Sequence, residues 1–407
     1  MNTPSARREP HARTLISRAF EQYARLLLGT GTRSRRLRVA LIVGSTVSLF
    51  GAACERHRPP PSEVAPPASV KLEITAVEPP PSATPPEEIH FERPAMSTLV
   101  QMVAYTSRDL TKQNLDAAFE AAFVEITRLE NLLSAWKASS DVGRLNRAAG
   151  EPVQVASETW EVIERALWAS RVSDGAFDIT FQAMSGLWRF GDAAESKPRI
   201  PSRTEIDRRR RLVDFRKLEL DQTQHRVRLP APMQLSLGGI AKGYIVDRAA
   251  QILKAKGVQS FFIRAGGDLL GFGRKPTGEP FRSGVQDPRG ARGSYFATLD
   301  FSDHAFSTAG DYERSFVTNG RRYHHIIDPR TGSPATACRS VTVWADDALT
   351  ADALDDAIFI LGPERGLALV EQTPGIGAVI VDADNRVIVS KRLSDRLVVI
   401  RSPTDGV

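Results

Sequence analysis

The stretch "SVTVWADDALTADALDDAIFILG", Ser340–Gly362, decides the fold. Ser340–Asp346 reads as a strand. Thr350–Leu361 reads as a helix, with Ala351, Leu354, Ile358 and Leu361 at helical spacing. Thr350 is the expected N-cap. Beyond it, "IGAVIVDADNRVIVSKRL" predicts a hairpin turning at Ala383–Asn385.

Working back along the chain, the same alternation recurs. "RSFVTNGRRYHHII" predicts a hairpin on its Asn319-Gly320 turn. "HAFSTAG", "SYFATLD" and "FRSGVQ" read as strands, and "SFFIRAGGDLLGFG" as strand, glycine turn, strand. "IAKGYIVDRAAQILKAKG" is a helix stopped at Gly257. "LVDFRKLELD" and "HRVRLPAPMQLSL" pair about a turn at Asp221–Gln224. "SETWEVIERALWASRVSDG" is a helix with Ser157 as expected N-cap and Gly175 as its stop. "TKQNLDAAFEAAFVEITRLENLLSAW" is a long amphipathic helix, and "MSTLVQMVAYT" is the expected first strand. Antiparallel strand runs with helices between them define an α+β fold rather than a doubly wound parallel sheet.

Asp352, Asp355 and Asp356 make the helix unusual. At about 100° per residue the three share one face. An acid in the first turn is stabilised by the helix dipole, but that effect has faded at Asp355 and Asp356. Like charges at these spacings cost about 0.2–0.5 kcal/mol per pair. Spacing alone leaves two readings, a site for a hard cation such as Mg²⁺ and a solvated acidic face. In "LSLGGIAKGYIVDRAA", Gly238 and Gly239 precede a helix carrying Lys242 in its first turn, which suits a pyrophosphate or simply a tight turn. It matches no Walker or GxGxxG pattern. His324 and His325 are adjacent on a strand, so only one can face a site.

Ahead of residue 96 the composition changes. "TRSRRLR" followed by "VALIVGSTVSLFGAAC" has a basic region, an apolar run and small residues before Cys54. The run Val39–Ala53 is shorter than the roughly 20 residues of a bilayer span. Residues 1–54 are therefore expected to be a signal peptide ending in a lipobox-like cysteine, with Gly51 where leucine is usual. Residues 55–95 are proline-rich and are expected to be an extended linker. The folded body is then expected over 96–401. The chain has 407 residues, two cysteines and a formal charge of +6. Arginine before residue 40 supplies much of that charge, so the remainder is near neutral and gives no nucleic-acid surface. "RTEIDRRRRLVDFRK" reads as a solvated face. Two cysteines so placed give no disulfide framework, and Cys338 reads as a small packed residue.

In order along the chain, "LLSAWKASSDVGRLNRA", "GAFDITFQAMSGLWRFG", "SLGGIAKGY", "AGGD", "TAGDYERSF", "HHIIDPRTGSP" and "TADALDDA" together resemble the ApbE family, the FAD:protein FMN transferases. The likeness covers nearly all of 96–395. It implies a T-fold-like α+β body outside the cytoplasm, held at the membrane by a lipid anchor. It also implies Mg²⁺-dependent transfer of FMN from FAD to a Ser or Thr hydroxyl of an extracytoplasmic redox protein, with AMP released. Carried over residue by residue, the metal would be held by Asp352 and Asp356, with Asp355 a further ligand and a backbone oxygen near Gly239. Flavin contacts would fall on Met96, Trp136, Ala176, Phe177, Asp178, Ser236, Lys242 and Ile327. His325 would assist proton removal from the acceptor. Two positions depart from the family pattern: Asp356 stands where it has Thr, and Ser236 where it has Asp. These leave two alternatives to transfer, an Mg²⁺-dependent FAD pyrophosphatase and a non-catalytic FAD-binding lipoprotein.

Overall fold

The computed structural model describes residues 85–190 and 198–406. The expected signal segment, Cys54 and most of the expected linker lie outside them.

Eight strands form the central sheet, and their spatial order is their chain order. They are β1 (Glu88–Ala95), β2 (Thr98–Tyr105), β3 (Phe261–Ala265), β4 (Asp268–Phe272), β5 (His304–Gly310), β6 (Cys338–Ala345), β7 (Gly377–Asp382) and β8 (Val387–Val389). Every neighbouring pair is antiparallel. The α+β expectation is borne out. The glycine-turn strand pair, the Asn319-Gly320 hairpin and the C-terminal hairpin all form where the sequence places them.

Because strand side chains alternate, each strand serves two layers. Ala305, Val341, Val343 and Ile380 face a large core beneath four helices: α1 (Lys112–Leu133), α2 (Ser157–Val172), α3 (Ala241–Ala255) and α4 (Ala348–Gln372). Their neighbours Phe306, Trp344, Val379 and Val381 face a second core. That core is closed by a three-stranded sheet of Phe281–Gln286, Tyr295–Phe301 and Leu397–Val399. Gly271 lets the two sheets approach, since a Cβ there would lie 2.3 Å from the Phe301 ring.

Five boundaries differ from expectation. The linker does not run to 95, because Glu88–Ala95 pairs residue for residue with Thr98–Tyr105 as β1. Nor does the body end at 401, since Thr404 hydrogen-bonds Asp287. Ser157 is the first residue of α2 and not its cap; Ala156 precedes it with no side-chain cap. Thr350 is not the cap of α4, because Asp347 takes that place and its side chain accepts the Thr350 amide at 2.7 Å. The helix also resumes after Leu361. Gly362 breaks it at φ 81°, and the chain turns helical again through Gln372. Pro363 is tolerated there because it begins the second stretch, where its missing N–H costs nothing.

Candidate functional site: an acidic cluster between two helices and the sheet

Helices α3 and α4 cross at Gly243. A Cβ on that glycine would lie 2.2 Å from Ala348 O and 2.8 Å from Asp352 Cβ, so no other residue fits without displacement. Asp247, one turn further along α3, accepts the Ala348 and Leu349 amides at 2.8 Å each. One helix thereby caps the other, occupying two of the free donors at the α4 N-terminus. Burial outweighs those two hydrogen bonds and pushes the Asp247 carboxyl up to about 7.

The crossing sets Lys242 beside the acids of α4. Its ammonium pairs with Asp268 at the start of β4 and lies 3.6 Å from Asp352 Oδ1. Asp352 Oδ2 accepts the Gly243 amide at 2.9 Å. Ser307 of β5 stands between two carboxylates, 2.5 Å from Asp268 Oδ1 and 2.6 Å from Asp355 Oδ2. A hydroxyl has one proton and cannot donate to both, so two acids compete for it. The Asp355 carboxyl is raised well above the usual range by burial and by the neighbouring Asp356 and Asp352. Burial likewise pushes Asp352 to about 7 and Asp356 to about 6, with Asp268 adding to both.

Asp356 points elsewhere. A Cβ built on Gly239 would lie 3.7 Å from Asp356 Oδ2 and 3.2 Å from the Phe177 ring, so these three residues meet. The three acids of the helix thus make different hydrogen-bond contacts while staying within electrostatic reach of one another and of Asp268. Ser307 holds one, the Gly243 amide and Lys242 another, and the third faces the Gly239 loop. Among the described residues no three His, Cys, Asp or Glu side chains stand together as a ready cation cage. By chemistry the donor set nonetheless suits a hard divalent cation. It offers four carboxylates, one ammonium and no soft ligand, and the carboxyls of Asp352, Asp355 and Asp356 are held high by burial and by neighbouring acids.

His324 and His325 divide as the strand geometry requires. His324 packs edge-on against Phe359, and its Nε2 lies 2.7 Å from Ala335 O. His325 donates its amide to Arg314 O, while its Nδ1 is buried without a partner among the described residues. Burial, then Arg314, hold its imidazole down to about 4. It is therefore neutral at physiological pH and able to accept a proton.

The remaining sequence-picked residues lie on separate turns and strands, and among them Phe177 meets the cluster. Ala176 and Phe177 are buried, with Phe177 against Gly239. The Asp178 oxygens are taken by the Thr180 amide and hydroxyl and by the Phe215 amide, so this acid shapes the loop that presents Phe177. Ser236 Oγ accepts the Gly238 amide and shapes the glycine turn. Met96 sits at positive φ in the β1–β2 turn. Ile327 is buried opposite Pro334, and Trp136 stands 82% exposed after α1. Sequence reasoning missed Asp268, Ser307 and Asp247. Asp268 had a signal, being an acid at the head of an apolar strand after Gly266-Gly267. Nothing in the sequence ties Ser307 to Asp355, or Asp247 to α4.

Fold and site define an α+β protein whose sheet and two crossing helices gather acids and a lysine at one place, with His325 within electrostatic reach of that lysine. The description "ApbE family" fits residues 96–380, and the chain belongs to that family. A relative from Treponema pallidum (strain Nichols), called an FAD:protein FMN transferase, is 34% identical over 75% of this chain and 87% of its own. The crystal structure of the ApbE protein from Thermotoga maritima is 33% identical, with a TM-score of 0.69 over 78% of this chain and all of its own. The apo Pseudomonas stutzeri flavinyl transferase ApbE is 32% identical, with a TM-score of 0.66 over 79% of this chain and 98% of its own.

Proposed function

We propose that this protein transfers FMN from FAD to a Ser or Thr hydroxyl of a target protein and releases AMP. The observation that carries the reading is the Lys242–Asp268–Ser307–Asp355 chain, with Asp352 and Asp356 beside it and Gly239 and Phe177 at its edge. Family membership and the activity by which the relatives are named support it.

In the step proposed, the acceptor hydroxyl oxygen attacks the FMN-side phosphorus. The bond from that phosphorus to the bridging oxygen breaks, and that oxygen leaves with AMP. The hydroxyl proton passes to Nδ1 of His325, which is neutral and without a partner among the described residues. Lys242 supplies fixed positive charge near the diphosphate, and Asp268 and Asp352 hold its ammonium in place. Asp352, Asp355 and Asp356, with the backbone near Gly239, would hold a magnesium ion, which when bound neutralises diphosphate charge. In phosphoryl transfer of this kind most of the catalysis is positioning and charge neutralisation. Trp136 offers an exposed ring for stacking, and Phe177 a buried one.

The basic, apolar and proline-rich character of residues 1–87 supports an extracytoplasmic location and a lipid anchor at Cys54; a redox protein on that side of the membrane would be the acceptor.

The test incubates the full chain with FAD, Mg²⁺ and a folded acceptor domain. The expected result is an in-gel fluorescent band on the acceptor with stoichiometric AMP. AMP without a band, at a catalytic rate, would make the protein a pyrophosphatase. Flavin retained with no AMP at any divalent cation would make it a carrier.

A further inference from the structure

The hairpin Ser315–Thr318/Arg321–His324 belongs to neither large sheet. Its cross-strand pair Phe316–Tyr323 shares a face, with ring centroids 5.3 Å apart. Trp188 stacks on Tyr323 at 5.9 Å and Phe190 on Phe316 at 6.2 Å, and these two stack on each other at 6.0 Å. The result is a four-ring platform, each ring only partly buried. Strand alternation puts Tyr323 and His325 on one side, because the His325 amide continues the ladder to Arg314 O. The platform therefore leads to the histidine.

Its rim is basic. Arg189, Arg314 and Arg321 are exposed and form no ion pair among the described residues; Arg321 lies 5.1 Å above the Tyr323 ring. Among the described residues, the acids of this hairpin region are Asp311, committed to Arg289 at 2.6 Å, and the exposed Glu313. Tryptophan, tyrosine and arginine together are the residue types that carry binding energy at protein interfaces. Arginines with no ion pair among the described residues, set at the rim, select an acidic partner and speed its approach.

We infer that the face made by Trp188, Phe190, Phe316 and Tyr323, rimmed by Arg189 and Arg321, docks an acidic segment of the acceptor polypeptide beside His325. The inference rests on the transfer reading above. It adds the class of acceptor, a chain with Asp or Glu flanking the modified hydroxyl.

The test uses two labelled synthetic peptides with a central threonine, one flanked by Asp and Glu and the other by Lys. Binding to the FAD-loaded full chain is read by fluorescence anisotropy. The acidic peptide is expected to bind at least about tenfold more tightly. The double reversal Arg189→Glu/Arg321→Glu is expected to erase that preference while FAD affinity stays unchanged. Equal binding of the two peptides, or a variant that still prefers the acidic one, overturns the inference. So does a variant that loses only its binding to phosphatidylglycerol vesicles, which would make the rim a membrane contact. Flavinylation is scored separately on the same samples. An acidic peptide that binds selectively and gains no FMN sinks the transfer reading and leaves the docking face standing. Peptides flavinylated without regard to charge sink the docking face alone.

Discussion

His325 is where the structure makes its most specific chemical demand on a single side chain. An imidazole in water titrates near 6.5, but here burial and Arg314 hold it at about 4. Because that value is lowered, the neutral, proton-accepting form persists as pH falls. With Mg²⁺ saturating, so that bound metal keeps Asp352 and Asp356 ionised, transfer rates should therefore stay level on the acid side down to about pH 5, where an unperturbed histidine would already have cut them about thirtyfold. His325→Ala is expected to slow transfer by roughly 10²–10⁴ with FAD affinity retained, measured by single-turnover flavinylation and by FAD fluorescence quenching. A rate that halves near pH 6.5 in the parent protein would count against the assignment. The acids of α4 answer a different test. Asp352→Ala and Asp356→Ala should each abolish Mg²⁺-dependent turnover while circular dichroism stays unchanged, and turnover surviving in both would overturn the cation assignment. At this scale the sequence was informative where the signal lies within one element. Three aspartates on one helical face could be read from spacing, and adjacent histidines had to point opposite ways. Asp268 and Ser307 reach the same cluster from two separate strands, and that meeting exists only in the folded sheet.

Between elements, the α3–α4 crossing governs the site. Gly243 has ordinary helical dihedrals; what it lacks is room, with Ala348 O 2.2 Å from where a Cβ would stand. Gly243→Ala should push the helices apart and cost about 1–3 kcal/mol, read from the urea midpoint. It should also weaken the Lys242–Asp352 approach and with it FAD affinity. Gly257→Ala is the instructive contrast. It meets nothing within 4 Å, so its penalty comes from φ 82° alone and should leave the site untouched. Asp247 gives this crossing a pH signature. Its carboxyl is raised from 3.8 to about 7, so the folded state holds a proton that the unfolded state has given up. The stability this contributes is complete below about pH 4 and is lost as pH rises through 7. Asp247→Asn should therefore flatten the melting-temperature profile between pH 5 and pH 8, relative to the parent. It should also lower stability by about 1–3 kcal/mol at low pH, because an amide can accept only one of the two helix N–H groups. Element positions were legible through their stops, Gly257 and Asn319-Gly320 among them. Caps were less so. Thr350 looked like an N-cap because an apolar helical pattern follows it, but Asp347 lies earlier and its carboxylate reaches the same donor.

At the scale of the whole molecule, one sheet separates two cores. The helix-covered face carries the acids, and the opposite face carries an aromatic core roofed by the three-stranded sheet. The antiparallel order was legible from alternation, but the ends of the body were not. Glu88–Ala95 has a proline and three charged residues and resembles the linker before it until its pairing with β2 is seen. The C-terminus misleads in the same way. Leu397–Val399 forms the edge of the three-stranded sheet, and beyond it Thr404 donates its amide and hydroxyl to Asp287, the hydroxyl at 2.7 Å. Arg401 adds an ion pair to that buried carboxylate at 3.0 Å. Ending the chain after Ser394 would strip Asp287 of those partners, leaving the turn amides of Arg289 and Gly290. A buried charge deprived of its counter-ion typically costs about 3–5 kcal/mol. The truncated chain is therefore expected to unfold at a markedly lower urea concentration. Because this layer lies on the far side of the sheet from Ser307 and α4, FAD affinity measured below the melting transition should be unchanged. If truncation weakened FAD binding without shifting the urea midpoint, the two faces of the sheet would not be the independent layers that the packing describes.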